Sequence, residues 1–390
     1  YLRNMSAITK LVSDTKQANK TFYRTERSEA QTGNDSMKFN YNGISQFSSI
    51  RNTASSSTLD RLGFKSEGTN LNLRYQNNTI IADSLFGIKY NLSNFDLNKY
   101  GFNHVTSEKT IGLYQNNNAS QLAILTDGIY KNIDFTVNTL DNQTSLLNAL
   151  SGLNLNYFKR APSQLFDKDA KSLNQRVAKN VSNSNIDFVT ITYRVIAPPH
   201  SQLYVSIPNI SWSDDNNHSL SITVNGVTRN QVTDNTFDFF DLGYFETESM
   251  VTIKLSFPGN KAISFDNPSF YALDTQNYQI AMDTINERDS KVTTSNNKVF
   301  VDYSSKTNAS LFFTIPYDKG WTATINHKKV KIQRAQKGFM KVDVPSGKGE
   351  VVLTFIPYGL KTGLLISLLA SIIFCCYAYF IRKITVIQNC

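Results

Sequence analysis

Apolar positions in this chain recur with two different periods. Ile8, Leu11, Val12 and Thr15 share one face of a helix turning every 3.6 residues or so. Ser57 to Leu62 reads as a short helix with Ser at its start and Gly63 just beyond its end. Thr79 to Phe86 repeats that plan, stops at Gly87, and gives way to a strand over Ile88 to Leu92. Asn142 to Ser151 is a further amphipathic helix, with Leu146, Leu147 and Leu150 on one side and Gly152 after it. Phe22-Tyr23-Arg24 and Met37 to Tyr41 read as extended. The pattern predicts a mixed α/β domain over residues 1–162.

Beyond it the alternation drops to two residues, with turn residues between the runs, which predicts strand after strand. A weak internal repeat runs through this part. LYVSIP at Leu203 to Pro208 precedes Trp212, Ile222-Thr-Val-Asn-Gly226, Phe239 and VTIKLSFPG at Val251 to Gly259. LFFTIP at Leu311 to Pro316 precedes Trp321, Ala323-Thr-Ile-Asn-His327, Phe339 and VVLTFIPYG at Val351 to Gly359 in the same order. Two small antiparallel β-sandwich domains follow from it, one over 163–285, which includes a polar connecting segment from Ser163 to Ser184, and one over 286–358. The expected fold class is α+β.

Thr362 to Ile381 carries no charge over twenty residues, about 30 Å of helix at about 1.5 Å per residue, the thickness of a bilayer's hydrocarbon core. A single transmembrane helix over 360–382 is expected. Arg382 and Lys383 follow it directly, against Lys361 alone before it, which predicts a cytoplasmic tail over 383–390 and an extracytoplasmic body up to about residue 358. The chain opens on Tyr1 with neither a charged nor an apolar leader, so the expectation is the C-terminal piece of a larger membrane protein rather than a processed secreted one.

Composition removes several classes. Among 390 residues, 12% aromatic content excludes disorder, and a net charge of +9 spread along the chain gives no nucleic-acid footprint. Cys375, Cys376 and Cys390 all lie at the end, so neither a disulfide framework nor a thiolate metal site is expected. His104, His200, His218 and His327 have no metal-binding spacing, and no metal site is expected from them. Asp214-Asp215-Asn216-Asn217-His218 reads as a solvated hairpin loop. Trp212 and Trp321 suit either a sandwich core or stacking on sugar rings. Lys328, Lys329, Lys331 and Arg334, with Lys337 and Lys341, suit either a solvated strand face or contact with a polyanion. Gly43 after Asn42 suggests a tight turn with left-handed backbone.

A set of ordered pieces adds a resemblance. They are Phe22-Tyr23-Arg24, Asn34-Asp35-Ser36, Asn40 to Ser49, Asp83 to Tyr90, Gln143 to Gly152, Pro316 to Trp321, Gly338-Phe339 and Pro357 to Gly363. Together they resemble the YfhO family of bacterial multi-spanning membrane proteins, relatives of the GT-C-type glycosyltransferases. The resemblance implies an extracytoplasmic region ahead of the last helix of an enzyme that moves sugar from a polyprenyl-phosphate donor to teichoic acid or a related cell-envelope polymer. The catalytic carboxylate of such enzymes belongs to an N-terminal membrane half outside this sequence. No catalytic residue and no cofactor is therefore assigned to this segment, and a divalent metal is left undecided. The implied partners are that membrane half, the lipid bilayer and the polymer acceptor. Arg24, Asn40 and Tyr41 become candidates for lining a glycan site, beside the alternative of Tyr41 in a core and Arg24 in a surface ion pair. The other reading of the whole chain is a non-catalytic single-span surface protein that binds glycan or scaffolds a complex; spans encoded upstream would separate the two.

Overall fold

The computed structural model describes residues 4–50, 52–66, 72–75, 78–168, 177–178, 188–212, 218–233, 239–258 and 263–388. Its elements are helices and largely antiparallel sheets, an α+β architecture, with one long apolar helix at the C-terminal end.

The first helix, Met5–Ala18, buries the expected stripe of Ile8, Leu11, Val12 and Thr15. That stripe packs with Tyr90, Leu92, Ile111 and Leu113 of a four-stranded sheet. In this sheet Arg24–Arg27 runs parallel to Ile88–Ser93, and the remaining pairings are antiparallel. Thr79 caps the helix Ile80–Leu85 by accepting a hydrogen bond from the Ala82 amide. Gly87 ends it at φ +63, where a Cβ would stand 2.7 Å from the Ser120 carbonyl oxygen. Asn138 caps the helix Thr139–Ser151, and Gly152 closes it in the left-handed region.

Local polar chemistry overrules the pattern in places. Met37 to Phe39 is helical, within Asp35–Phe39, and ends on Asn40 at φ +57. The Asp35 carboxylate accepts from the Gln31 and Thr32 amides and from buried Arg27, which winds the segment that alternation had made extended. The next helix is Thr53–Asp60, earlier than Ser57, because the Asn52 side chain caps it through the Ser55 amide. Phe22 and Tyr23 precede the first strand, which begins at Arg24. Ser163–Lys168 forms a strand on Phe188–Ala197 where a connector was expected, and Val177–Ala178 pairs with Ile263–Ser264. The rest of the expected connector, Asp214 to Asn217 and Cys390 lie outside the described residues.

The two β regions share one strand order. In the first, Phe188–Ala197, Ser249–Pro258, His218–Val224 and Val227–Thr233 are successive neighbours. In the second, Lys298–Ser305, Gly347–Phe355, Trp321–Ile325 and Lys328–Val330 stand in the same places. The facing sheets are centred on Ser201–Ser206 and on Ala309–Pro316, which contain the LYVS and LFFTIP segments. The equivalent hairpins turn on Asn225-Gly226 (φ 47 and 90) and Asn326-His327 (φ 46 and 68), two-residue turns with both φ positive.

The N-terminal part is not set apart from these sandwiches. Ala123–Leu125 completes the second by pairing with Ala309–Pro316, and Phe158–Arg160 pairs with Ser269–Asp274 of the first. One core joins Phe86, Leu146 and Leu147 to Tyr204, Leu273, Tyr278, Phe312 and Phe339. The last strand, Gly347–Phe355, leads through Ile356 to Gly359 into the helix Leu360–Gln388. Its apolar part, Leu360–Arg382, is long enough to cross a membrane, and none of it is buried against the rest of the protein.

Candidate functional site

Three of the residues singled out in the sequence, Arg24, Tyr41 and Trp212, are buried. The buried Arg24 guanidinium donates to the Phe86 carbonyl (2.6 Å) and the Thr314 carbonyl (2.8 Å), tying the first strand to the second sandwich. Tyr41 packs in a core with Phe39, Tyr90 and Leu92. Neither side chain is open to a glycan, while Asn40 is exposed as a helix end. Trp212 lies in the core of the first sandwich and donates through Nε1 to Thr233. Trp321 is half-buried, its ring 5.0 Å from that of Phe355.

The basic residues do not form one patch. Lys328 and Lys329 follow the Asn326-His327 turn; Ile325 just before it pairs with Val351, four residues along the strand from Phe355. Lys331 is exposed beyond Val330, and Arg334 lies over the Tyr317 ring, 4.4 Å from its centroid. Lys341 is buried and donates to the Tyr130 carbonyl and to Asp343. Burial of Lys341 and the seat of Arg334 on a tyrosine ring set these two apart from the exposed lysines after the turn.

Gly43 is required for room, not for handedness. It is absent from the positive-φ positions, but a Cβ there would stand 3.1 Å from the Ser36 Cβ and 3.2 Å from Glu26 Oε1. That closeness follows from the seat of Glu26, whose carboxylate accepts from the Ile44 and Ser45 amides and the Ser45 hydroxyl. Burial pushes the Glu26 carboxyl up to about 7 against these hydrogen bonds. A carboxyl raised in the folded state holds its proton longer than in the unfolded chain. Its contribution is therefore complete below the unfolded value and is lost as pH rises towards 7. We expect wild type to lose about 3 kcal/mol relative to Glu26→Gln between pH 4.5 and pH 8. Paired denaturant titrations of the two proteins across that range measure it; a constant difference would remove Glu26 as the source.

An open cleft of about 570 Å³ lies within the size range of small-molecule sites. Its walls come from Leu125 to Asp127, from the end of the helix Thr139–Ser151, from Glu287-Arg288-Asp289 and from Ser304 to Thr307. Arg288 holds these pieces together by donating to the carbonyls of Leu125 (2.7 Å), Leu150 (2.5 Å) and Ser151. A cation on the orphan carbonyls of a helix end also opposes the negative end of the helix dipole. Burial lowers the Arg288 pKa and Asp127 beside it raises it. Asp127, Glu287, Asp289 and Lys306 leave the cleft lined by acceptors and donors of mixed charge, with neither histidine nor cysteine on its walls. Such a surface of carboxylates, hydroxyls and cations has the hydrogen-bonding groups that a polyhydroxylated ligand would use. Among the described residues no group of three or more His, Cys, Asp or Glu is placed to hold a metal ion. Sequence reading missed this cleft, since Arg288 and Asp127 belong to no motif and meet only through tertiary packing.

A second, much smaller pocket of about 40 Å³ includes Tyr75, Lys99, Arg229 and Asp241 in its lining. Lys99 Nζ lies 2.8 Å from Asp83 Oδ2 and 3.1 Å from the Tyr75 hydroxyl, at the joint between the N-terminal part and the first sandwich. Burial lowers the Lys99 pKa, but Asp83, Tyr75 and Asp241 more than offset it, and the ammonium ends above its ordinary value. Burial pushes the Asp241 carboxyl up to about 6 while Lys99 and Arg229 pull it back. Gln202 from the first sandwich donates to Asp241 at 2.9 and 3.1 Å.

The family described as "Bacterial membrane protein YfhO" matches residues 1–367. An uncharacterized YfhO protein of Bacillus subtilis is 25% identical over 141 residues, 34% of this chain and 16% of that relative, so the match spans a small part of the longer protein. A cycloisomaltooligosaccharide glucanotransferase from Paenibacillus sp. aligns over 54% of this chain and 50% of its own, at 8% identity and a TM-score of 0.21. The pilus backbone of Streptococcus pneumoniae aligns over 50% of this chain and 84% of its own, at 11% identity and a TM-score of 0.17. Scores that low assign neither fold nor function.

Proposed function

This chain belongs to the YfhO family of bacterial membrane proteins, and from that premise we propose that it is the extracytoplasmic accessory portion of a membrane glycosyltransferase. In this reading the whole enzyme moves sugar from a polyprenyl-phosphate donor to teichoic acid or a related cell-envelope polymer. The chemistry then belongs to a membrane half that this chain does not include. The segment up to about residue 358 stands outside the cytoplasmic membrane and positions the acceptor.

The observation that carries the reading is the polar cleft around Arg288. Its carboxylates, hydroxyls and cations can grip hydroxyl-rich polymer, as an acceptor-holding part requires. Its Ser305 pairs with Gly347, eight residues before Phe355, so the cleft stands on the order of 27 Å along the strand from the helix. A polymer growing away from the membrane passes at that height.

The test uses the full-length protein in membranes, with polyprenyl-phosphate sugar and wall polymer. Asp127→Asn combined with Glu287→Gln should raise the KM for polymer severalfold and leave kcat near wild type. An unchanged KM would remove the cleft from acceptor binding. Absence of any transfer by the full-length protein would remove the glycosyltransferase reading itself.

A further inference from the structure

The end of the second sandwich where the final helix begins carries a different kind of surface. Trp321 pairs with Phe355, and the Ile356 amide donates to the Gly320 carbonyl, so the strand is held in register up to the link. Four residues, Ile356 to Gly359, then separate it from the first residue of the helix, Leu360. A surface so close to a membrane-crossing helix is carried to the bilayer interface with it.

The residues there have the composition that interface selects. Tyr358 is 77% exposed, and the Lys319 ammonium lies 5.6 Å from its ring centroid. Arg334 lies over Tyr317, and Trp321 stands beside Phe355. Asn52 Nδ2 donates to the Tyr317 carbonyl at 2.7 Å; Ile50, 91% exposed, lies two residues before it, and Phe47, 50% exposed, ends the short strand Gln46–Phe47 just ahead. Ile50 is thus presented almost whole to water two residues from Asn52, whose side chain reaches Tyr317 at this end. Aromatic rings with a polar edge, flexible cations and a few protruding apolar side chains suit the headgroup layer. A protein-binding core would carry fewer charges.

We propose that this end, formed by Phe47, Ile50, Lys319, Trp321, Arg334 and Tyr358, is seated on the phosphate headgroups of the bilayer crossed by the final helix. The apolar side chains enter the glycerol level, and Lys319 and Arg334 meet lipid phosphates. The contact fixes the attitude of the body above the membrane. It rests on the membrane-crossing helix and is independent of sugar transfer.

The chain contains two tryptophans, so Trp212→Phe leaves Trp321 as the reporter. The full chain is reconstituted in vesicles of phosphatidylglycerol and phosphatidylcholine whose acyl chains are brominated near the headgroup. Trp321 emission should be mostly lost there and should resist iodide in unbrominated vesicles. Quenching by iodide without quenching by bromine overturns the proposal, because the surface then faces water. Protection from both also overturns it, because protein then covers the surface. If Trp212→Phe does not fold, Ile50→Cys carries an environment-sensitive dye, with Cys375, Cys376 and Cys390 replaced by Ser. Its emission should shift to the blue on reconstitution and return to the red with Lys319→Gln and Arg334→Gln together; an unshifted dye overturns the contact.

Discussion

Lys99→Met is expected to destabilise the folded protein by about 3–5 kcal/mol, the cost of stranding a buried charge. The Lys99 side chain is 9% exposed and its partner Asp83 is wholly buried. Among the described residues the ammonium is the only charged donor that reaches Asp83, and the Oδ1 of that carboxylate has no hydrogen-bond partner. With the cation gone, the carboxylate keeps its desolvation cost and loses its compensation. The loss should shrink at acid pH, where Asp83 takes up a proton. Asp83→Leu combined with Lys99→Met should recover part of the stability, since the apolar pair carries no charge to compensate, while Asp241 loses Lys99 and keeps Arg229 and Gln202 beside it. Denaturant unfolding followed by tryptophan fluorescence compares the three proteins. Equal midpoints for wild type and Lys99→Met would mean that the joint contributes nothing.

The second large effect is steric. At Gly338 an added Cβ would lie 2.5 Å from the Ser55 Cα, 2.7 Å from the Thr58 hydroxyl and 2.8 Å from the Ala54 carbonyl oxygen. Two of those neighbours are backbone of the helix Thr53–Asp60 and cannot rotate away. Gly338→Ala must push that helix off the second sandwich, breaking the Thr58 hydrogen bond to the Gln336 carbonyl (2.7 Å). Overpacking of this kind costs about 1–3 kcal/mol, and the backbone contact places it at the upper end. Gly363→Ala, where a Cβ would meet nothing within 4 Å, should leave stability unchanged. Thermal unfolding of the two variants in the same detergent makes the comparison, and equal melting points would refute the steric argument.

Where burial is one-sided and continuous, the sequence already discloses the structure. The stripe through Ile8, Leu11 and Val12 folds as its spacing requires. The repeated strands with Asn-Gly and Asn-His turns take equivalent places in two sandwiches. Other features have no local signature. Ala123–Leu125 and Phe158–Arg160 are too short for any period, yet each lies at the edge of a sheet in a different part of the chain. Asp83, Lys99 and Asp241 converge from distant segments, and nothing beside any of them announces the others. Arg24 and Tyr41 combine the residue types of a glycan site with burial that closes them to one. Exposure, which separates those two roles, is a property of the folded chain alone.

The place of Gly347–Phe355 bears on when the protein can fold. This strand is the last before the membrane helix, yet it lies between Lys298–Ser305 and Trp321–Ile325, which do not touch each other in the sheet. Until it arrives, two hairpins with open edges wait beside an unfilled centre. Ala123–Leu125 is made long before and waits with them, on the order of ten seconds or more at about 5–20 residues per second of synthesis. Closure of the second sandwich is thus a late, long-range event, and long-range strand pairing is slow even without that delay. A nascent chain interrupted anywhere before Phe355 carries exposed edges to whatever chaperone or protease meets it, and only the finished chain withdraws them.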